Sequence, residues 1–323
     1  LPAYLMRILL VKTSSLGDVV HNLPALSDLR RLLPEARIDW VVEEGFDVIP
    51  RLHPAVERVI PVAVRRWRKS LLSAATWREI GAFRRQLREV AYDRVIDSQG
   101  LLKSALIAAQ ARLAAGGELC GNDRDSAREP LAARFYSHSC AIPRAAHAVE
   151  RNRQLVAAAI GQAGAVLPLD YGIQSAPLAA PWLPQGAYAV ALCGTSRADK
   201  LWPEERWIEL GDALAQRGLT LVLPSGSAEE VARAGRIAAA VPGAVAAPPL
   251  GLSELAGLMA GAQAVIGLDT GLTHLGAALG LPTIALFAGS DPALTGVHAG
   301  PAAINLGNIG QPPAVVDVLA ALP

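Results

Sequence analysis

Apolar and polar positions in the first half of the chain follow two alternating patterns. An apolar run at residues 7–12 and short strand-like runs at residues 38–42, 56–64 and 93–97 predict β-strands, and amphipathic stretches at residues 18–33, 77–89, 100–111 and 146–160 predict α-helices. Strands that alternate with helices of this length are typical of βα units around a parallel sheet. The pattern therefore predicts a first α/β domain.

The alternation restarts after a segment rich in proline and glycine, residues 167–186. It predicts strands at residues 188–192, 220–223, 264–268 and 283–287, and helices at residues 203–217, 228–240, 253–262, 271–279 and 314–321. We therefore expect two doubly wound domains, residues 6–174 and 185–310, which face a central cleft and bind ligands beyond the carboxyl ends of their strands. The last residues, 311–323, are predicted to form a helix that could pack back on the first domain.

Composition narrows the class of protein. The chain has 323 residues, of which 52% are hydrophobic and 5% aromatic, and its mean hydropathy is +0.30. Its charge-free apolar stretches are shorter than the ~20 residues that cross a bilayer, or are broken by proline and glycine, so we expect a soluble protein. Three cysteines without a CxxC pair favour a reducing compartment, and no signal peptide is expected.

The net charge of +1 conceals an asymmetry between the two halves. Residues 1–182 contain 24 Lys and Arg against 18 Asp and Glu, a net charge of +6, whereas residues 183–323 contain 6 against 11, a net charge of −5. The sequence Arg-Arg-Trp-Arg-Lys at residues 65–69 concentrates four cations, and Lys103, Arg128 and Arg144 add to them. Residues 65–69 could be a solvated loop, but arginine suits phosphate and carboxylate, so we expect an anionic partner here.

Two loops of the second half contain residues suited to a diphosphate. Thr195, Ser196 and Lys200 follow one predicted strand, and hydroxyls with an ammonium group are typical phosphate ligands. The run from Asp269 to His274 follows another strand and opens a helix, whose free N–H groups attract anions. The alternatives are a solvated lysine in the first loop and simple helix capping by the first residues of the second. The pairing of the loops favours a nucleotide diphosphate.

Three further acidic residues have both a functional and a structural interpretation. Glu229 and Glu230 follow the strand predicted at residues 220–223, where a carboxylate could bind ribose hydroxyls or stabilise the start of a helix. Asp18 follows Thr13-Ser-Ser-Leu-Gly and could be a general base or a helix-stabilising acid. The sequence pattern leaves both alternatives open.

Several common motifs are missing. No GxGxxG follows the first strand, and residues 194–200 lack the second glycine of a Walker A loop, which argues against an NAD(P) dehydrogenase and a P-loop ATPase. Asp123-Arg-Asp125 has the form of a DxD metal motif. Because no apolar strand is predicted before it, we expect no metal there.

Six segments together resemble the lipopolysaccharide heptosyltransferases of glycosyltransferase family 9: residues 6–21, 65–69, 95–104, 127–130, 147–151 and 269–274. The Lys-Thr-Ser-Ser run at residues 12–15 and the basic run at residues 65–69 favour type I of the family over type II. The resemblance implies a GT-B fold, in which two Rossmann-like domains face a cleft. It also implies inverting transfer of L-glycero-D-manno-heptose from ADP-heptose to the first Kdo of Kdo2-lipid A, with no catalytic metal or other cofactor.

The resemblance further implies roles for individual residues. Asp18 corresponds to the general base, and Lys200 to a catalytic diphosphate contact. The implied donor-binding residues are Thr195, Ser196, Lys200, Glu229, Leu250, Asp269, Thr270, Gly271, Leu272 and His274. The segment before Glu229 is a residue shorter than usual, which leaves the choice between Glu229 and Glu230 open. The implied acceptor-binding residues are Ser14, Ser15, Gly17, Arg65, Arg66, Arg68, Lys69, Lys103 and Arg128.

A lipid-linked acceptor implies peripheral contact with the cytoplasmic face of the inner membrane, through the basic and amphipathic surface near residues 65–75. We expect a monomer with no nucleic-acid partner. The alternatives are a type II heptosyltransferase, a nucleotide-sugar epimerase and a non-enzymatic nucleotide-binding module. The basic run at residues 65–69 argues against the epimerase.

Overall fold

A computed structural model describes residues 5–323, and the chain divides into two compact units between Gly172 and Ile173. The first unit contains a six-stranded parallel sheet of order β3-β2-β1-β4-β5-β6. Its strands are β1 (Arg7–Val11), β2 (Arg37–Glu43), β3 (Val56–Val62), β4 (Ala91–Asp97), β5 (Arg112–Asn122) and β6 (His138–Cys140). Its helices are α1 (Leu16–Val20), α2 (Leu23–Leu32), α3 (Val48–Arg51), α4 (Val64–Trp67), α5 (Ala74–Leu87), α6 (Leu102–Ala108) and α7 (Ala148–Ala159).

The second unit repeats this architecture, with a parallel sheet of order β12-β11-β10-β7-β8-β9. Its strands are β7 (Tyr188–Leu192), β8 (Thr220–Leu223), β9 (Val245–Ala246), β10 (Ala264–Leu268), β11 (Thr283–Phe287) and β12 (Ala303–Gly307). Its helices are α8 (Glu204–Gln216), α9 (Ala228–Ala240), α10 (Leu252–Ala260), α11 (Gly271–Ala278), α12 (Pro292–Thr295) and α13 (Val315–Ala321). Each sheet therefore has the strand order of a Rossmann fold.

Burial on both faces explains why the central strands read as continuous apolar runs. Every residue of β7 and β10 is buried, as are the last four residues of β1. Trp202 and Trp207 are fully buried in the core of the second unit, with their ring centroids 5.0 Å apart. Helices cover both faces of a parallel sheet of this kind, which is why its strands carry few polar residues.

The eight predicted strands are all present, but four further strands were not predicted. The strand β5 contains Ala114-Ala-Gly-Gly117, residues with low strand propensity. A Cβ placed on Gly117 would lie 2.6 Å from the backbone oxygen of Tyr92, so the two strands approach too closely there for a side chain. The strands β6 and β9 have only three and two residues, and β12 is half-buried along its length. None of these gives a periodic apolar signal.

The boundary between the units lies at Gly172, close to the predicted end of the first domain at residue 174. The sequence left open whether the last helix packs back on the first domain. The buried side chains of α13, Val315 and Val318, belong to the core of the second unit, and Arg217 donates to the Leu319 carbonyl oxygen. Within residues 5–323, no helix is long and apolar enough to cross a membrane.

Candidate active site

Loops that contain predicted site residues follow the strands at which the strand order of each sheet reverses. In the first unit these strands are β1 and β4, which pair with each other, and in the second unit they are β7 and β10. Ligands of doubly wound sheets bind beyond the carboxyl ends of such strands.

Asp269 is the centre of the polar cluster in the second unit. Its Oδ2 accepts hydrogen bonds from Lys200 Nζ at 2.5 Å and from Ser290 Oγ at 2.6 Å, and His274 Nε2 lies 3.7 Å from its Oδ1. Burial alone would raise the pKa of Asp269, but hydrogen bonds from His274, Lys200 and Ser290 hold that pKa well below its ordinary value. The carboxylate therefore stays charged and fixes the ammonium group of Lys200.

The amino end of α11 lies beside this cluster and is not capped by a side chain. Thr270 is the N-cap residue but forms no side-chain capping bond, and the Asp269 carboxylate is engaged with Lys200 instead. Thr273 Oγ1 donates to the Leu268 carbonyl oxygen at 2.6 Å. The capping alternative is therefore wrong for Asp269 and Thr270. The N–H groups of the first turn, which begins at Gly271, can accommodate an anion.

The loop after β7 places Lys200 at the end of a short 3-10 turn, Ala198–Lys200. Thr195 is half-buried, Ser196 is exposed, and Arg197 pairs with Asp199. A Cβ placed on Gly289 would lie 2.6 Å from the Asp199 carbonyl oxygen, so the loop after β11 packs against this turn. Ser290 reaches Asp269 from that second loop, and sequence reasoning missed it because a lone serine carries no motif.

The structure separates the roles of the two candidate ribose ligands. Glu230 closes a capping box on α9, since its Oε2 accepts from the backbone N–H groups of Gly226 and Ser227 at 2.9 and 3.0 Å. Its carboxylate also lies against the loop after β7, because a Cβ on Gly194 would be 2.7 Å from Glu230 Oε1. Glu229 is exposed on the first turn of α9. The geometry therefore favours Glu230 over the predicted Glu229.

Two apolar residues complete the predicted donor-binding set. Leu272 and Leu250 are both half-buried, the first in the opening turn of α11 and the second just before α10. Each leaves part of its apolar surface available to a flat, uncharged group.

Asp18 lies in the first turn of α1, in the loop region after β1. Its Oδ2 accepts from the backbone N–H of Ser15 at 2.9 Å and from Ser15 Oγ at 3.2 Å, and Arg128 Nη1 lies 3.6 Å away. The helix-stabilising role that the sequence left open is therefore present. The carboxylate is nevertheless partly accessible, with 29% of its side chain exposed, so it can also contact a ligand.

A buried polar network underlies this loop. Gln99 Oε1 accepts from the Thr13 backbone N–H and hydroxyl, both at 2.7 Å, and from the Ser14 N–H at 3.3 Å. Lys12 Nζ donates to the Ser98 carbonyl oxygen at 2.7 Å and to Asn152 Oδ1 at 3.2 Å. Burial lowers the pKa of Lys12, while the charges of Asp18 and Asp97 oppose that shift. Sequence reasoning did not assign a role to Gln99, which fixes the backbone that carries Ser14 and Ser15.

The predicted basic run forms the short helix α4 and the turn after it, rather than an extended loop. The Arg65 backbone N–H donates to Glu43 Oε1 at 2.9 Å, and its guanidinium lies 5.1 Å from the centre of the Phe46 ring. Arg66 pairs with Glu44 and Glu79, at 3.0 and 2.8 Å.

The other predicted acceptor residues are distributed around the same unit. Arg68 and Lys69 are exposed, and Lys103 Nζ donates to Ser14 Oγ at 2.9 Å. Burial lowers the pKa of Lys103. Gly17, inside α1, adds no side chain beside Asp18. The structure thus brings Ser14, Ser15, Asp18, Lys103 and Arg128 together through direct contacts.

The secondary structure before the DxD motif at residues 123–125 differs from the prediction. The strand β5 leads directly into Asp123, although no strand was predicted there. Asp123 Oδ1 accepts from the Ser126 backbone N–H at 2.8 Å, so the carboxylate closes a turn. Among residues 5–323, no group of three or more His, Cys, Asp or Glu side chains could hold a metal ion.

Comparisons with known proteins agree with this architecture. The chain superposes on the structure of E. coli heptosyltransferase WaaC with ADP, with a TM-score of 0.88 and 42% identity over 98% of both chains. The structure of the same enzyme with ADP-2-deoxy-2-fluoro heptose gives a TM-score of 0.86 at 42% identity, again over 98% of both chains. Two Rossmann-like units with this similarity define a glycosyltransferase of the GT-B class.

The sequence comparisons identify the family. The model of glycosyltransferase family 9 (heptosyltransferase) matches residues 80–317. Lipopolysaccharide heptosyltransferase 1 of Pseudomonas aeruginosa is 49% identical over 303 residues, which are 94% of this chain and 84% of that protein. The chain belongs to glycosyltransferase family 9, the heptosyltransferases. The resemblance found in the sequence and the predicted enzyme class are confirmed.

Proposed function

We propose that this heptosyltransferase transfers L-glycero-D-manno-heptose from ADP-heptose to the first Kdo of Kdo2-lipid A, in the synthesis of the lipopolysaccharide inner core. The observation that carries the proposal is the Lys200–Asp269 pair beside the uncapped end of α11. A fixed ammonium group and free N–H groups suit a diphosphate. Relatives such as lipopolysaccharide heptosyltransferase 1 of Pseudomonas aeruginosa support a heptose as the sugar and lipopolysaccharide synthesis as the pathway.

The second unit would hold the donor. Lys200, the hydroxyls of Thr195 and Ser196, and the N–H groups after Thr270 would bind the two phosphates. The half-buried Leu250 and Leu272 would contact the adenine. As the bond from the anomeric carbon to the phosphate oxygen breaks, negative charge accumulates on ADP, and these groups would stabilise it. We propose that no catalytic metal is needed, so activity should persist in EDTA.

We propose Glu230 as the ribose ligand, because it lies against Gly194 at the start of the loop after β7, which also contains Lys200. Glutamine can keep the capping box at this position, so Glu230→Gln removes the charge while preserving α9. ADP should bind roughly tenfold more weakly to Glu230→Gln, as expected for loss of a charged hydrogen bond. The matched control is Glu229→Gln, which should bind ADP normally. The opposite result would assign the ribose to Glu229.

The first unit would supply the base and the acceptor surface. Asp18 would take the proton from the acceptor hydroxyl as that oxygen bonds to the anomeric carbon, on the face opposite the departing ADP, so the configuration inverts. Arg128 and Lys103, which contact Asp18 and Ser14, would bind the carboxylates of Kdo. The basic run at residues 65–69 would bind the phosphates of lipid A. This acceptor would bring the enzyme, as a monomer, to the cytoplasmic face of the inner membrane.

The decisive experiment offers the purified enzyme ADP-heptose with Kdo2-lipid A, or with the same acceptor already carrying its first heptose. We expect transfer to the first acceptor. Transfer to the second alone would identify a type II heptosyltransferase. Release of free, altered sugar without transfer would support an epimerase, and binding without consumption of the donor would support a binding module.

A further inference from the structure

The segment of residues 64–85, from α4 through most of α5, exposes three large apolar side chains. Leu71 and Leu72, between the two helices, are 51% and 103% exposed, and Trp77 in the first turn of α5 is 60% exposed. Exposed apolar clusters of this kind commonly mark a surface that another body covers.

The same segment is the most basic part of the chain. Residues 64–85 contain seven Lys and Arg and a single acid, Glu79, a net charge of +6, as large as that of residues 1–182 together. Glu79 forms an ion pair with Arg66 at 2.8 Å and accepts a hydrogen bond from Trp67 Nε1 at 2.9 Å. The remaining six cations are exposed: Arg65, Arg68, Lys69, Arg78, Arg84 and Arg85.

Hydrogen bonds within the loop hold the two leucines outward. Trp77 Nε1 donates to the Leu71 carbonyl oxygen at 2.8 Å, and the hydroxyls of Ser70 and Thr76 are 2.9 Å apart. Behind them, the rings of Trp67 and Phe83 pack edge to face, with centroids 5.8 Å apart. The exposure of Leu71 and Leu72 is therefore a property of an ordered loop.

We propose that residues 64–85 dock on an anionic bilayer, with Leu71 and Leu72 inserted below the lipid headgroups and the surrounding cations among them. A nucleic acid or a soluble anion would use the cations but not the leucines. An anionic bilayer offers both a negative surface and a hydrocarbon layer, and tryptophan favours the boundary between them. The inference rests on the proposed lipid-linked acceptor and adds the residues that enter the membrane.

The test is co-sedimentation of the full chain with vesicles of phosphatidylcholine, alone or mixed with phosphatidylglycerol. We expect binding to the mixed vesicles, and Leu71→Ser with Leu72→Ser should weaken it by roughly tenfold per leucine. The matched control carries Val166→Ser and Val316→Ser, which remove equally exposed apolar residues elsewhere, at 95% and 68% exposure. This control should bind like the unmodified protein.

Three outcomes would overturn the inference: equal binding by both double variants, equal binding to both kinds of vesicle, or RNA binding that displaces the vesicles and ignores the leucines. A second assay uses a water-soluble, deacylated Kdo acceptor, to which the leucine variant should transfer heptose at the normal rate. If neither the variant nor the unmodified enzyme transfers heptose there, the proposed function fails, while the vesicle result still decides whether the surface binds a membrane.

Discussion

Replacing Lys200 with alanine tests the proposed diphosphate site most directly. The Lys200 side chain is 16% exposed and its ammonium group is fixed by Asp269. The side chain therefore loses little conformational entropy when a phosphate binds. A hydrogen bond to a charged group contributes about 1.5–3 kcal/mol. We therefore expect ADP to bind Lys200→Ala roughly 10- to 150-fold more weakly.

The same change also affects stability. Asp269 is 11% exposed and would keep Ser290 and His274 as neighbours but lose its cation. A buried group that loses one partner costs about 1–3 kcal/mol, so Lys200→Ala should lower the free energy of unfolding by that amount. Adding Asp269→Asn removes the uncompensated charge. The double variant should recover most of the stability without recovering the ADP affinity.

Titration calorimetry with ADP and urea unfolding separate the two effects. Unchanged ADP affinity in Lys200→Ala would remove this residue from the diphosphate site. A double variant no more stable than Lys200→Ala would refute the argument from the buried carboxylate. Arg217→Ala, a change on the surface of the same unit, is the control for general damage and should leave ADP binding intact.

Three further predictions concern other groups. Asp18→Asn should lower turnover at least ~100-fold while ADP-heptose still binds, and near-normal turnover would exclude Asp18 as the base. Replacing Arg65, Arg66 and Arg68 with glutamine should raise the KM for Kdo2-lipid A more than that for ADP-heptose; equal changes would contradict the acceptor assignment. The folded-state pKa of Asp269 is depressed, so its stabilising contribution is present above the ordinary pKa of about 4 and is lost as the pH falls through the folded value. The free energy of unfolding, measured from neutral pH to below about pH 4, should decrease less with falling pH in Asp269→Asn than in the unmodified protein.

The central strands could be predicted from sequence because burial on both faces leaves a continuous apolar run. β1, β7 and β10 all show this signal. The strand β4 differs, because it contains Asp93, Arg94 and Asp97 among its apolar residues. These four strands precede loops that carry predicted site residues. The outer strands β5, β6, β9 and β12 could not be predicted in this way. They are short, half-buried or rich in alanine and glycine, and their pairing depends on neighbours that are distant in sequence.

The candidate site could be predicted from sequence at the level of loops but not at the level of atomic contacts. Lys200 and Asp269 were both predicted as donor-binding residues, yet their direct pairing joins residues 69 positions apart, and Ser290 lies a further 21 positions along. The choice between Glu229 and Glu230 depended on which carboxylate faces Gly194. Adjacent residues on a helix point in different directions, so a shift of one position cannot be resolved without the backbone.

The repeated strand order has a consequence for redesign of the enzyme. The proposed acceptor groups lie on segments that follow β1, β3, β4 and β5, whereas the proposed donor groups lie on segments of the other unit that follow β7, β8, β9 and β10. Each set lies on segments that follow the strands, whereas the buried strand residues form the core of the sheet. Grafting the first set of loops from a relative with another acceptor should therefore redirect the sugar to a new substrate while the preference for the nucleotide is inherited unchanged.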